Sequence, residues 1–175
     1  MFTTSQPSEF ESMRIKAERG DAEAEFDMGR CYQNGWVVRQ DRAEALKWYE
    51  KSAEKGNPRA QVLAGMSYWQ GLDVKVDKAK GLKWIEEAAE QGDPGAFACL
   101  CSAYYKGDGV VQDYVQSYKW GMLFMESRQS DIISEDERTQ MKVVMASLEQ
   151  KLTTEQISEV RRLAKEEKAR IFKQP

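Results

Sequence analysis

The segment from Gly20 to Lys55 returns at Gly56 and again at Gly92, without a gap, so the chain carries three copies of a 36-residue unit. A period of this length is the mark of a repeat architecture, in which each unit buries its apolar face only against its neighbours. Within the first copy, Ala24, Met28, Gly29 and Tyr32 recur at helical spacing and the run stops at Gly35. Asp41 then opens a second helix whose inward stripe is Ala45, Leu46, Tyr49 and Ala53, with Ser52 at its edge, at least partly covered because the other copies place Ala88 and Phe124 there. Lys47, Glu50, Lys51 and Glu54 fall on its water side. Pro58 and Pro94 stand in the first turn of the corresponding first helices, where a missing N–H does no harm. Each copy therefore reads as a helical hairpin, and the fold class as all-α.

Nine columns are identical in all three copies, represented by Gly20, Ala24, Tyr32, Gly35, Val38, Asp41, Lys47, Trp48 and Glu54. The glycines end helices, the aspartate caps one, and the alanine admits a close neighbour. The tyrosine and tryptophan columns are large rings at regular spacing, and packing between repeats accounts for them better than a ladder for stacking bases or sugars. Lys47, Lys83 and Lys119 would be an anion stripe or, as the plainer reading has it, outer-face partners of nearby glutamates.

Flanking segments complete the array. Residues 1–8 are polar and read as a frayed N-terminus. Residues 9–19 match the second half of a repeat, with Phe10, Met13 and Ala17 in the register of Leu46, Tyr49 and Ala53, and read as an N-terminal capping helix. The period fails after Ser127. A capping box at Ser134 and apolar faces at Met141, Val144, Met145 and Leu148, then Ile157, Val160, Leu163 and Ala164, predict a closing helical pair over 134–170, with 171–175 as a tail. The whole of 9–170 reads as one domain, with repeats at 20–55, 56–91 and 92–127. Lys165, Lys168, Arg170 and Lys173 suggest either an acidic partner or, as we favour, complementarity to the negative end of the last helix.

The pattern GDxxAxxxxGxxYxxG, the valine-bearing loop, Asp41 and the run ALKWYEKSAEK resemble the Sel-one-like repeat (SLR) family, relatives of tetratricopeptide repeats. The resemblance is close in the first copy and good in the second. It drifts in the second helix of the third, at Gly121, Met122, Phe124 and Met125. It implies an α/α right-handed superhelical solenoid and, from bacterial relatives, an adaptor role, more narrowly an immunity-type or regulatory factor. One departure lies in the loop: the family's glycine survives as Gly109 but is Val37 and Asp73 in the other copies, which predicts a different turn in those two.

The chemistry-bearing residues argue against an enzyme. There is no histidine, the commonest general base and metal ligand, and no nucleophile elbow or phosphate-cradling glycine loop. Cys99 and Cys101 point to different faces of one helix and Cys31 is remote, so the three read as free thiols in a reducing compartment and as a poor zinc site. No cofactor or metal is expected. A net charge of −3, with acidic and basic residues mixed, lacks the basic footprint of a nucleic-acid binder. No apolar run reaches the length of a membrane span, and the N-terminal residues lack a signal peptide's regions, so no membrane insertion and a cytoplasmic location are expected.

The expected partner is another protein. On the first helix of each hairpin, the side away from the repeat columns changes from copy to copy: Phe26, Asp27, Arg30, Gln33 and Asn34, then Val62, Leu63, Met66, Trp69 and Gln70, then Ala98, Cys99, Ser102, Tyr105 and Lys106. This side tends to line the concave groove in related superhelices. Leu63, Met66, Trp69 and Tyr105 are the candidate apolar anchors, with Asp27, Arg30, Gln70, Ser102 and Lys106 as the polar rim. The competing reading packs Val62 or Leu63 against a neighbouring helix. A clamp for peptide tails ranks below the adaptor, because only Arg30 and Lys106 supply positive charge, and an enzyme ranks last.

Overall fold

The structure, a computed structural model, describes residues 8–72, 74–127 and 133–172, so most of the N-terminal stretch expected to fray lies outside the described residues. Among the described residues there are nine helices and no strand. They are α1 (Glu9–Glu18), α2 (Ala22–Asn34), α3 (Arg42–Glu54), α4 (Pro58–Gln70), α5 (Lys78–Glu90), α6 (Pro94–Lys106), α7 (Tyr114–Glu126), α8 (Glu135–Glu149) and α9 (Thr154–Phe172). The fold class is all-α, built of repeating helical hairpins. Contacts group the chain into two compact units, Met1–Trp84 and Ile85–Pro175, with the boundary inside α5.

The local chemistry of each copy does what its sequence predicts. Asp21, Asn57 and Asp93 cap the first helices by accepting from Ala24, Ala60 and Ala96 N–H groups at 2.8, 3.1 and 3.0 Å. Gly35, Gly71 and Gly107 close those helices in the left-handed region at φ +72°, +70° and +68°. The loops then end on one backbone bond, Asp41, Asp77 and Asp113 N–H donating to the Tyr32, Tyr68 and Tyr104 carbonyls at 2.9, 2.9 and 3.0 Å. Gln40 and Gln112 add a side-chain clasp, donating to the Gln33 and Tyr105 carbonyls at 2.7 and 2.8 Å.

That closure corrects one expectation. Val37 does not change the turn: it adopts φ +64°, in the same region as Gly109 at φ +73°. The backbone bond and the glutamine clasp hold the first loop in the glycine-type turn, and the β-branched residue bears the strain. Asp73 lies outside the described residues.

In the first unit the expected stripe of α3 is buried, Ala45, Leu46, Tyr49 and Ala53 all being 6% exposed or less. Ser52, expected at a covered edge, is wholly buried, its hydroxyl donating to the Ala22 carbonyl at 2.6 Å. Glu50 is not a plain solvent-facing residue either. Its carboxylate accepts from the Tyr68 hydroxyl at 2.6 Å and from Lys80 at 2.8 Å, joining α3, α4 and the start of α5. The aromatic columns pack: Trp48 and Tyr32 lie against Ala17, Ala24 and Met28, and Trp84 against the cluster around Leu46 and Tyr49.

In the second unit Phe97 and Trp120 stack at 5.8 Å between centroids, and Tyr118, Leu148 and Val160 form a core shared by α7, α8 and α9. The capping box of α8 is present, Ser134 and Glu137 satisfying each other's backbone N–H groups. α9 runs past the expected end of the domain to Phe172 and buries Ile171. The lysine column is mixed. Lys47 pairs with Glu44 at 2.8 Å on the surface, but Lys119 lies half-buried 4.3 Å from the Trp120 ring centre, and its burial lowers its pKa.

Candidate protein-binding surface

The varying side of the first helices is only partly a surface. Phe26 and Val62, both placed on it by the helical wheel, are 4% and 8% exposed. A first helix in the array has neighbours on two sides, its own hairpin partner and the next hairpin, while a single apolar stripe describes only one. Phe26 accordingly lies 6.0 Å from the Tyr49 ring on α3 and under Arg59 of α4 at 5.5 Å. The packing reading therefore holds for the buried Val62 and in part for Leu63, which is half-buried and packs against the cluster around Leu46 and Tyr49.

The first unit carries a groove of about 340 Å³ on this side. Its apolar lining is Leu63, Met66 and Leu72 with Ala45, Leu46 and Tyr49 of α3, and Gln33, Asn34 and Arg42 are among its polar groups. Its frame is fixed by hydrogen bonds. The Tyr49 hydroxyl donates to the Gln33 side-chain oxygen, and Asn34 donates to the Arg30 carbonyl at 3.0 Å. The Tyr49 phenol is held neutral well above its usual range, chiefly because it is desolvated.

Beside this groove Arg30 is already engaged. Its guanidinium sits 5.2 Å from the Trp36 ring centre and 5.8 Å from that of Phe26, and 3.7 Å from Asp27. Burial raises the Asp27 pKa, helped by Glu23 and opposed by Arg30 and Arg59. Trp69 is half-buried and Gln70 exposed at the end of α4. Three exposed apolar side chains of the first unit were not singled out from the sequence: Trp36 at 50%, Leu72 at 39% and Val76 at 51%. All lie in the loops, where the signal was a connection richer in apolar residues than a short turn needs.

On the second unit Ser102 and Lys106 are exposed. Tyr105 is not a free anchor. Its ring lies 5.8 Å from Tyr114, it packs on the Tyr118–Leu148–Val160 core, and its hydroxyl is 3.3 Å from that of Ser147 on α8. The closing helices thus take up much of its surface.

Among the described residues no three histidine, cysteine, aspartate or glutamate groups come together, and no helix is long and apolar enough to cross a membrane. The model of the Sel1 repeat matches residues 22–57, 58–93 and 99–120. The chain belongs to the Sel1 repeat family. Sel1 repeats generally act as scaffolds for protein–protein interaction, and their fold is typically non-catalytic. The third match is the short one and stops at Trp120, just before the drifting residues Gly121 and Met122. Among solved structures, the chain is similar to a protective antigen of uropathogenic Escherichia coli strains with an SLR fold, at 44% identity and a TM-score of 0.64. That match covers 67% of this chain but only 25% of the antigen, so the chain spans about a quarter of that relative. A Sel1 repeat protein from Oxalobacter formigenes matches at 33% identity and a TM-score of 0.60, over 75% of this chain and 95% of its own. No curated protein matches the sequence.

Proposed function

We propose that this Sel1 repeat protein is an adaptor that binds a folded protein partner through the first unit's groove. The observation that carries the reading is the groove lined by Leu63, Met66 and exposed Leu72 together with Arg42, Gln33 and Asn34. Apolar area beside an arginine and a set of amide side chains is the composition of an interface centre with its rim. Asp27, Arg30, Trp69 and Gln70 are further contacts in this reading, and Ser102 and Lys106 are secondary polar contacts on the second unit. Arg30 is committed to Trp36, Phe26 and Asp27, which disfavours a clamp that would need it for a partner's terminal carboxylate. The narrower role, an immunity-type or regulatory factor acting in the cytoplasm, rests on the family alone.

The test is a pair of charge substitutions in the groove, Met66→Glu with Leu72→Glu, in the full chain. Both side chains are at least partly exposed, so thermal unfolding should be little changed. Proteins that co-purify with the wild type should be lost from the folded variant. Recovery of the same proteins at the same yield by that variant would place the interaction elsewhere and sink the proposal.

A further inference from the structure

In the second unit three sulfur atoms converge over one glycine. Gly121 on α7 has no side chain, and a methyl group there would collide with Met145 Sδ while lying 3.4 Å from Met141 Sδ and 3.5 Å from Cys101 Sγ. Cys101 Sγ and Met141 Sδ are 3.8 Å apart. Two sulfurs each about 2.3 Å from one metal ion, at an angle near trigonal, are separated by about 3.8–4.0 Å. The sulfur pair thus already has the spacing of two ligands on one ion, and Met145 supplies a third from the next turn of α8.

We propose that Cys101, Met141 and Met145 form a binding site for monovalent copper. The donors are one thiol and two thioethers, the soft set that selects Cu(I) over harder ions. Charge makes the same choice. Cys101 is 1% exposed and Met141 8%, so an uncompensated charge among them is costly. One thiolate with Cu(I) is neutral overall, whereas Zn(II) with the same ligands leaves a net positive charge in an apolar site. Without metal, desolvation raises the Cys101 pKa and keeps it a thiol. On binding, the S–H bond breaks, its proton leaves to solvent, and the sulfur lone pair forms the S–Cu bond with no change of oxidation state. The Ser117 hydroxyl donates to the Cys101 carbonyl at 2.8 Å, which fixes the backbone that presents the thiol. Met145 is only half-buried and gives the ion an approach from solvent.

Counting cysteines and histidines could not find this site, because two of its donors are methionines 40 and 44 positions after Cys101 and the clearance comes from Gly121.

The experiment titrates the full chain with Cu(I) under argon against a chromophoric Cu(I) chelator. Cys31→Ala and Cys99→Ala are present throughout to remove the other thiols. One equivalent of copper should be retained in competition with the chelator. Met141→Leu and Met145→Leu, which keep the packing volume, should each weaken retention about tenfold or more, and Cys101→Ala should abolish it. The circular dichroism of each variant is recorded, and the leucine variants carry the test should the alanine variant fail to fold. Failure of the parent chain to hold copper, or retention unchanged in both leucine variants, overturns the proposal.

Discussion

Val37 is the residue whose conformation costs most for what it packs. A β-branched side chain at φ +64° is strained by about 1–3 kcal/mol, yet it is 80% exposed and buries almost nothing. Glycine at this position removes the strain and costs about 0.5–1 kcal/mol in extra freedom of the unfolded chain. Val37→Gly should therefore stabilise the protein by about 1 kcal/mol, read as a higher urea midpoint at unchanged slope. A lower midpoint would mean that the turn is not strained. The sequence showed that Val37 departs from the glycine pattern kept at Gly109. It could not show that the turn would survive, because the clasp from Gln40 and the Asp41–Tyr32 bond are tertiary restraints written in no single column. If the groove reading is correct, the stabilised variant gives up part of an exposed apolar loop, and its partner affinity is worth measuring beside its stability.

Where α4 meets α5, backbone lies directly against backbone. A Cβ on Gly81 would stand 2.6 Å from the Gly65 carbonyl oxygen and 3.1 Å from the Trp69 backbone nitrogen. Both are backbone atoms and cannot swing aside as a side chain does. Alanine is the better helix former by about 1 kcal/mol, but overpacking of this kind costs about 1–3 kcal/mol and displaces whole turns. Gly81→Ala should therefore lower the thermal midpoint despite its helical preference, and a rise would show that the two helices part freely. The first copy has Ala45 and the third Ser117 at this position, so the column is not uniform. That explains what was legible at this scale. Helix starts and stops, set by Asp21, Asp41 and the three left-handed glycines, follow from local chemistry and could be read directly. Which residue sits where two helices touch depends on each hairpin's own spacing. The same limit misplaced Phe26 on the outside when it is buried.

Across the whole chain, the period of 36 residues made the repeat fold evident, while the candidate groove was visible only as Leu63, Met66, Gln33 and Asn34, without its loop residue Leu72. One global property follows from where the fold places its weak acids. Burial raises the pKa of Tyr49 and Tyr68 in the first unit and of Tyr104 and Tyr118 in the second. It also raises the thiols of Cys31 and Cys101, and Cys99 to about 11. In the unfolded chain thiols lose their protons near pH 8.5 and phenols near pH 10. Above those values the unfolded state gives up protons that the folded state keeps, so alkali favours unfolding. The Lys80 ammonium, whose folded pKa is raised against its own desolvation by bonds to Glu50 and Tyr68, adds to the loss once it titrates. Lys119, whose ammonium is disfavoured by burial, works in the opposite direction over its own titration. With eight groups against one, urea midpoints should begin to fall at about pH 8.5–9 and fall faster above about pH 10. Replacing the three cysteines by alanine should delay the onset towards the phenol range, and Tyr68→Phe should then flatten part of the steeper limb. Midpoints that stay level from neutral pH to about pH 11 would show that these phenols and thiols are not held neutral by the fold.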